Sequence, residues 1–214
     1  LHDPEGLMSL MGGRSNFIKR LDEVFSTPPT SDFSYYGFKI HEILEMELLD
    51  MGQYAHGNQP IQHAIYFYNF ARQPWKTQEK IRHVMDNLYG DGPDGYCGDE
   101  DNGQTSAWFV FSAMGFYPVA PVTGQYVIGS PLFESIKLEL ANNKSVNINV
   151  SNNEKENVYV SSVKVNNQNY NKNWLDHSIF VTGGEIDFSM SSIPNYSWGS
   201  DKESIPYSMS LEKK

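Results

Sequence analysis

The feature that most constrains the fold of this chain is a change of hydrophobic period near residue 120. Before it, apolar residues recur at helical spacing: Phe38, Ile43, Leu44, Met46, Leu48 and Met51 in one segment, then Ile61, Ala64, Ile65 and Tyr68 in the next. After it the period is two. Ile136, Leu138 and Leu140 alternate with Lys137 and Glu139, Val146, Ile148 and Val150 with Asn147 and Asn149, and Ile186, Phe188 and Met190 with Asp187 and Ser189. Turn clusters such as Ala141-Asn142-Asn143, Ser151-Asn152-Asn153 and Gly183-Gly184 separate these runs. The pattern predicts an α+β chain, helical over 1–119, with an antiparallel β-sheet or sandwich layer over 120–214.

Within the helical part, Asn58-Gln59-Pro60 reads as a helix start with proline in the first turn. Pro74 then interrupts, and Thr77 is placed to cap a helix over 78–88. The stretch 105–116 is apolar almost all round, through Ala107, Trp108, Phe109, Val110, Phe111, Ala113, Met114 and Phe116. That is the pattern of a helix enclosed by other helices. The Asn-rich run 166–171 reads as a polar loop, and Tyr170, Trp174 and Trp198 read either as core or as platforms for a sugar.

Charge and cysteine content narrow the function classes. With 16 Lys+Arg against 26 Asp+Glu the formal charge is −10, whereas a nucleic-acid binder needs clustered cations to displace counterions from phosphates. At 39% hydrophobic and 14% aromatic residues, the chain is no disordered acidic tail. No stretch approaches the roughly 18 apolar residues of a membrane span, so neither nucleic acid nor membrane is expected as a partner. The single cysteine, Cys97, allows no intrachain disulfide and no Cys-rich zinc site, leaving a metal to oxygen or imidazole ligands. The opening Leu1-His2-Asp3-Pro4-Glu5-Gly6-Leu7 carries no initiating Met, and predicts a piece of a longer protein.

Four constellations could carry chemistry, of which His41-Glu42 with Glu45 and the short opening His2-Asp3 are the weaker. From Asp91 to Gln104 carboxylates crowd among glycines, with no adjacent base, directly before the most apolar helix. Mutual repulsion and lost solvation predict that at least one has a raised pKa, as general acid–base work requires. A solvated loop with Asp101 or Asn102 capping the next helix accounts for the same residues. An EF-hand does not, because the fifth position from Asp99 is Gly103 and the third from Asp94 is Tyr96. In Tyr54-Ala55-His56-Gly57-Asn58-Gln59-Pro60, His56 and Asn58 lie on a glycine loop at a helix start, suited to a hard cation through oxygen ligands or to a purely structural loop. His63 suits a satisfied core histidine, and Glu42 and Glu45 share one helix face as a solvent-facing stripe would.

Together these segments resemble the family 92 glycoside hydrolases, exo-acting α-mannosidases. The match is carried by His2-Asp3-Pro4-Glu5-Gly6-Leu7, Tyr54 to Pro60, Gln73-Pro74-Trp75-Lys76-Thr77-Gln78 and above all Gly98-Asp99-Glu100-Asp101-Asn102-Gly103-Gln104-Thr105-Ser106-Ala107-Trp108. It continues through Phe109 to Pro118 and Gly129-Ser130-Pro131-Leu132-Phe133. The resemblance implies the last part of an (α/α)6 catalytic barrel over 1–119, followed by the C-terminal strands.

It also implies a calcium-dependent, inverting exo-α-mannosidase, of a bacterial type, secreted or cytoplasmic, acting on mannose-containing glycans. In inverting enzymes an acid protonates the leaving oxygen while a carboxylate activates water, the two lying roughly 6.5–9.5 Å apart. By motif position Asp101 is the base, with Asp99 as its partner or alternative. His2, Asp3, His41, Glu42, His56 and Gln104 are carried over as substrate contacts, the His41-Glu42 pair resembling the one that favours α-1,2 linkages. Asn58 and Gln59 are carried over as ligands of a calcium that binds the sugar's O2 and O3, although many relatives have Glu in place of Gln59. The general acid is implied to be a Glu upstream of Leu1, and the partner to be the rest of the enzyme, its N-terminal β-sandwich and early barrel helices. The alternative is a non-catalytic carbohydrate-binding or structural fragment docking on a partner domain.

Overall fold

The computed structural model describes residues 1–212. Helices occupy the first half: α1 (Pro4–Leu10), α2 (Arg14–Ser26), α3 (His41–Leu49), a run of 3-10 turns over Gln59–Tyr66 leading into α4 (Phe67–Phe70), α5 (Pro74–Asn87) and α6 (Gln104–Ala113). The strands are β1 (Phe116–Tyr117), β2 (Gln125–Ile128), β3 (Ser135–Glu139), β4 (Ser145–Ser151), β5 (Tyr159–Val165), β6 (Gln168–Asn169), β7 (Trp174–Asp176) and β8 (Gly184–Ser191), with a short α7 (Ser178–Thr182) before the last. The chain is therefore α+β.

Local chemistry explains where several boundaries depart from expectation. α5 begins at Pro74, whose missing N–H costs nothing at a first helical position, so Thr77 does not cap. Its buried hydroxyl instead donates to the Ile65 carbonyl at 3.0 Å, fastening α5 to the 3-10 run. α6 ends at Ala113, and Gly115 (φ +97°) turns the chain so that Phe116, expected as helix, opens β1. The Asn-rich segment is a tight hairpin: Asn166 and Asn167, both at positive φ, join β5 to β6 as a two-residue turn of that twist requires. α3 forms as its spacing predicts but buries no residue, leaving Leu48 84% exposed.

The larger sheet corrects the expectation of an antiparallel layer. Its order is β3-β4-β8-β5-β6, with β4 and β8 parallel. The chain leaves β4, completes β5 to β7 and crosses through α7, so β8 inserts between β4 and β5 in the same direction as β4. Inward residues of β4, β5 and β8 (Val146, Ile148, Val160, Val163, Ile186, Phe188) form one face of a second core, while the outward face keeps Asn, Ser, Lys and Asp.

The small sheet β1-β2-β7 is a partition between two cores. Phe116 pairs with Ile128 and Tyr126 with Leu175, and these side chains enter the strand core. Tyr117 pairs with Val127, one residue along, and this pair faces the helical core with Tyr54, Ile65, Tyr66, Ile81 and Trp108. Trp198 and Tyr170 belong to the strand core too, Trp198 donating to the Tyr170 carbonyl at 3.0 Å. Two wholly buried amides cross the partition. Asn69 donates to the Ile128 carbonyl at 2.8 Å, and Asn173 donates to the carbonyls of Asn69 at 3.1 Å and Gly199 at 2.7 Å.

Replacing Asn173 by Ala leaves the Gly199 carbonyl buried without its donor, while the Asn69 carbonyl keeps the Arg72 N–H at 3.1 Å, and this costs about 1–3 kcal/mol. Urea unfolding of the Asn173→Ala chain is expected to show a lower midpoint at an unchanged slope; an unchanged midpoint contradicts the bridging role.

Candidate active site

The site is built on a polar seam between the segment 54–62 and the segment 99–108. At its centre His56 has no exposed surface. Its Nδ1 lies 2.8 Å from the Tyr54 hydroxyl and its Nε2 2.8 Å from the Tyr89 hydroxyl, with Trp108 edge-on at 4.3 Å between ring centres. Burial pushes the imidazole pKa down to about 3, so the ring is neutral. Two proton arrangements satisfy the ring: Tyr54 donates to Nδ1, Nε2–H to Tyr89 and Tyr89 to the Thr105 carbonyl at 3.3 Å, or Tyr54 turns to the Gln62 carbonyl at 3.4 Å, Nδ1–H donates to Tyr54 and Tyr89 donates to Nε2. His56, carried over as a substrate contact, has both nitrogens bonded and no exposed atom, and stands as a buried hub of the wall.

Glutamines extend the seam. Gln62 donates to the His56 carbonyl at 3.1 Å, and its own carbonyl accepts from the Trp108 indole at 3.2 Å. Gln59 donates to the Asp99 carbonyl at 2.6 Å, where the Thr105 hydroxyl also donates at 2.9 Å. Gln104 donates to the Tyr117 hydroxyl at 3.0 Å, linking the helix start to the partition sheet.

These contacts hold an unusual loop. Asp101 (φ +53°), Asn102 (φ +55°) and Gly103 (φ +97°) lie in succession in the left-handed region. Asp and Asn tolerate this region better than other non-glycine residues, so the strain is modest, yet two in succession are uncommon. Glu100 offsets that strain: its carboxylate accepts from the Gly103 N–H at 2.7 Å and from the Ser106 hydroxyl at 2.7 Å, and the same two contacts, Ser106 first, hold its pKa below the ordinary range. The raised pKa expected of this loop is therefore not found at Glu100, which moves the other way. Neither Asp101 nor Asn102 caps α6; Gly103 stands at the N-cap, and the loop is closed from Glu100. The side chains of Asp99 and Asp101 are exposed and make no hydrogen bond among the described residues.

α3 meets this loop from the other side. His41 Nδ1 is 3.0 Å from Glu45 Oε1 and its Nε2 3.4 Å from Glu42 Oε1. The Glu45 contact, followed by the fields of Glu42, Glu45 and Asp99, raises the His41 pKa. His2 is exposed, its backbone carbonyl accepting from the Met209 N–H at 3.0 Å, and Asp3 is engaged by its neighbours. Asp3 caps α1 through the Gly6 N–H at 3.1 Å and accepts from the Ser210 hydroxyl at 2.6 Å, the Ser208 hydroxyl at 2.7 Å and the Ser210 N–H at 2.9 Å, and these serine contacts, the Ser210 hydroxyl first, draw its pKa well down. His2 and Asp3 line a cleft of about 520 Å³ with Phe67 and Ser210, to which Asp99 and Asp101 do not contribute.

Among the described residues no three His, Cys, Asp or Glu side chains converge as a metal cluster. Oxygen donors of another kind are present: Asn58, half-exposed at the start of the 3-10 run with no side-chain hydrogen bond among the described residues, and Gln59, whose amide nitrogen holds Asp99. Sequence motifs pointed to Asp99, Asp101, Asn58 and Gln104. They did not separate the anchoring Glu100 from its neighbours, nor mark Tyr89, which lies outside every motif.

The stability contributed by neutral His56 is complete above pH about 6.5, its unfolded value, and is lost as pH falls toward 3, because there the unfolded chain binds a proton that the folded one excludes. The slope reaches about 1.4 kcal/mol per pH unit. Denaturation midpoints measured from about pH 7 to 4 are expected to fall more steeply for the parent than for His56→Gln; equal slopes contradict a buried neutral ring.

The model of the glycosyl hydrolase family 92 catalytic domain matches residues 1–192. An inverting mannosidase of family 92 from Bacteroides thetaiotaomicron is 53% identical, with a TM-score of 0.83 over 98% of this chain and 28% of its own. A family 92 α-mannosidase from the same organism is 37% identical, with a TM-score of 0.86 over 98% of this chain and 26% of its own. A protein of Arthroderma benhamiae described as an uncharacterized secreted glycosidase is 28% identical over 97% of this chain and 24% of its own length. This chain thus spans about a quarter of the length of these relatives. With the matched region running from α1 through the strained acidic loop to the end of β8, the chain belongs to glycosyl hydrolase family 92.

Proposed function

We propose that the chain supplies the base side of the active site of an inverting exo-α-mannosidase that removes terminal mannose from glycans, with α-1,2 linkages preferred. The observation that carries this reading is the Asp99–Asp101 loop. Two solvent-facing carboxylates have no hydrogen-bond partner among the described residues: Asp99, whose carbonyl is held by Thr105 and Gln59, and Asp101, which lies in the left-handed region beside the Glu100 closure. Backbone strain maintained by surrounding bonds is a feature of functional sites. A free carboxylate fixed in this way can take a proton from water; Glu100, whose acceptors are occupied and whose pKa is lowered, is a poor base.

Asp101 acts as the base, with Asp99 as its partner. The general acid, a Glu in the part of the enzyme outside these 214 residues, protonates the leaving oxygen from the opposite side of the sugar. His41 and Glu42 are assigned to the leaving-group mannose on the resemblance alone; the field of Asp99 felt at His41 shows only that the pair lies near the acidic loop. The donor set fits calcium: Asn58 and Gln59 offer neutral amide oxygens, the hard ligands that cation takes. When bound, the ion polarises the hydroxyls of the sugar it binds. The exposed Val110 and half-buried Phe109 and Phe111 of α6 fit enclosure by further helices of an (α/α)6 barrel.

In the full-length enzyme Asp101→Asn is expected to fold normally and to lower turnover by about 10²–10⁴-fold, the usual weight of a general base. Near-parent turnover would reassign the base, with Asp99→Asn as the next variant. Separately, the 214-residue chain purified alone is expected to release no mannose; measurable release would overturn the assignment of the acid to the rest of the enzyme.

A further inference from the structure

Glu45 has no part in the scheme so far, yet its carboxylate is the most constrained group on α3. Its Oε1 contacts His41 Nδ1 at 3.0 Å. Its Oε2 is buried and has no hydrogen-bond partner among the described residues. An orphaned oxygen of this kind in a folded protein calls for a reason, because desolvating it without a donor is costly.

The reason lies in what surrounds it. Oε2 sits where the backbones of Gly57 and Gly98 cross. A Cβ on Gly57 would stand 2.8 Å from Oε2 and 2.7 Å from the Cys97 carbonyl oxygen; a Cβ on Gly98 would stand 2.7 Å from Oε2 and 2.6 Å from the Gly57 Cα. Neither glycine has positive φ, so close approach, not backbone conformation, is what demands glycine at both. Three segments therefore meet at one oxygen atom: α3, the loop before Asn58 and the loop before Asp99.

We infer that Glu45 is a positioning residue that clamps the base-bearing loop to His41. One carboxylate oxygen orients the imidazole while the other wedges the Gly57–Gly98 crossing, so that the leaving-group side of the site and the Asp99–Asp101 loop keep a fixed relation. The catalytic meaning of the clamp rests on the function proposed above; the clamp itself does not. Around it the ionisable groups are Glu42 on α3, and Asp99 and Cys97 on the opposing loop, the last feeling the Glu45 charge.

The test compares the full-length parent with Glu45→Gln, His41→Asn and the double variant. Hydrogen exchange across residues 97–104 reads the clamp without substrate. Glu45→Gln is expected to speed it by about tenfold through easier local opening, and parent-like exchange overturns the inference whether or not the parent is active. On a mannose disaccharide, Glu45→Gln is expected to lower kcat by about tenfold with little change in KM, and the double variant to be no slower than the slower single, as coupled residues behave. Additive losses overturn the link to His41, whereas a parent that releases no mannose from any mannoside refutes the proposed function and leaves the exchange result to judge the clamp. If Glu45→Gln does not fold, Gly98→Ala attacks the same contact from the other side and carries the same exchange expectation; parent-like exchange in that variant overturns the clamp.

Discussion

The arrangement depends on burying one neutral histidine between two tyrosine hydroxyls. His56 could not be enclosed as a cation, and as a neutral ring it needs one donor and one acceptor at opposite edges. Tyr54 and Tyr89 provide them from different segments, so satisfying His56 brings the loop before Asn58 against the end of α5 and, through Thr105, against the start of α6. Gln62 and Trp108 then close the seam. A buried polar chain in which each member completes the next is rigid because loosening one member leaves its neighbours unsatisfied in a low dielectric. That rigidity is what a loop with two left-handed non-glycine residues requires beside it.

The partition sheet transmits the same stiffness to the strand layer. Because side chains alternate across a strand, Phe116 and Ile128 enter one core while Tyr117 and Val127 enter the other. Gln104 reaches Tyr117 on this wall, so the helix that follows the acidic loop is tied to the sheet at its first residue. The strands thus serve as a foundation for the loop even though none of their residues is a candidate for chemistry.

What the sequence disclosed follows from the range of the interactions involved. The change of period, α3, α5, α6 and the alternating strands are local patterns, and they were legible. The parallel pairing of β4 with β8 joins Val146 to Gly184 across an intervening hairpin and helix, and no local pattern encodes it. Thr77 and Asp3 carry a capping chemistry that sequence recognises, but the partners that decide their roles, the Ile65 carbonyl and Ser208 and Ser210, come from elsewhere in the fold. The glycine loop carrying His56 suited either a ligand site or a structural role, and what covers its Nε2, the Tyr89 hydroxyl, comes from thirty-three residues away.

The acidic loop itself divides one residue type into two jobs. Three carboxylates within three residues would repel one another if all were equally free. Glu100 escapes the conflict by turning its charge onto the Gly103 N–H and the Ser106 hydroxyl, which lowers its proton affinity and uses its lone pairs on structure. Asp101, forced to positive φ by that closure, projects a carboxylate that makes no bond within the described residues. The same geometry that makes Glu100 a poor base is what presents Asp101 as a free one, so the closure of the loop and the exposure of its carboxylate are one structural event.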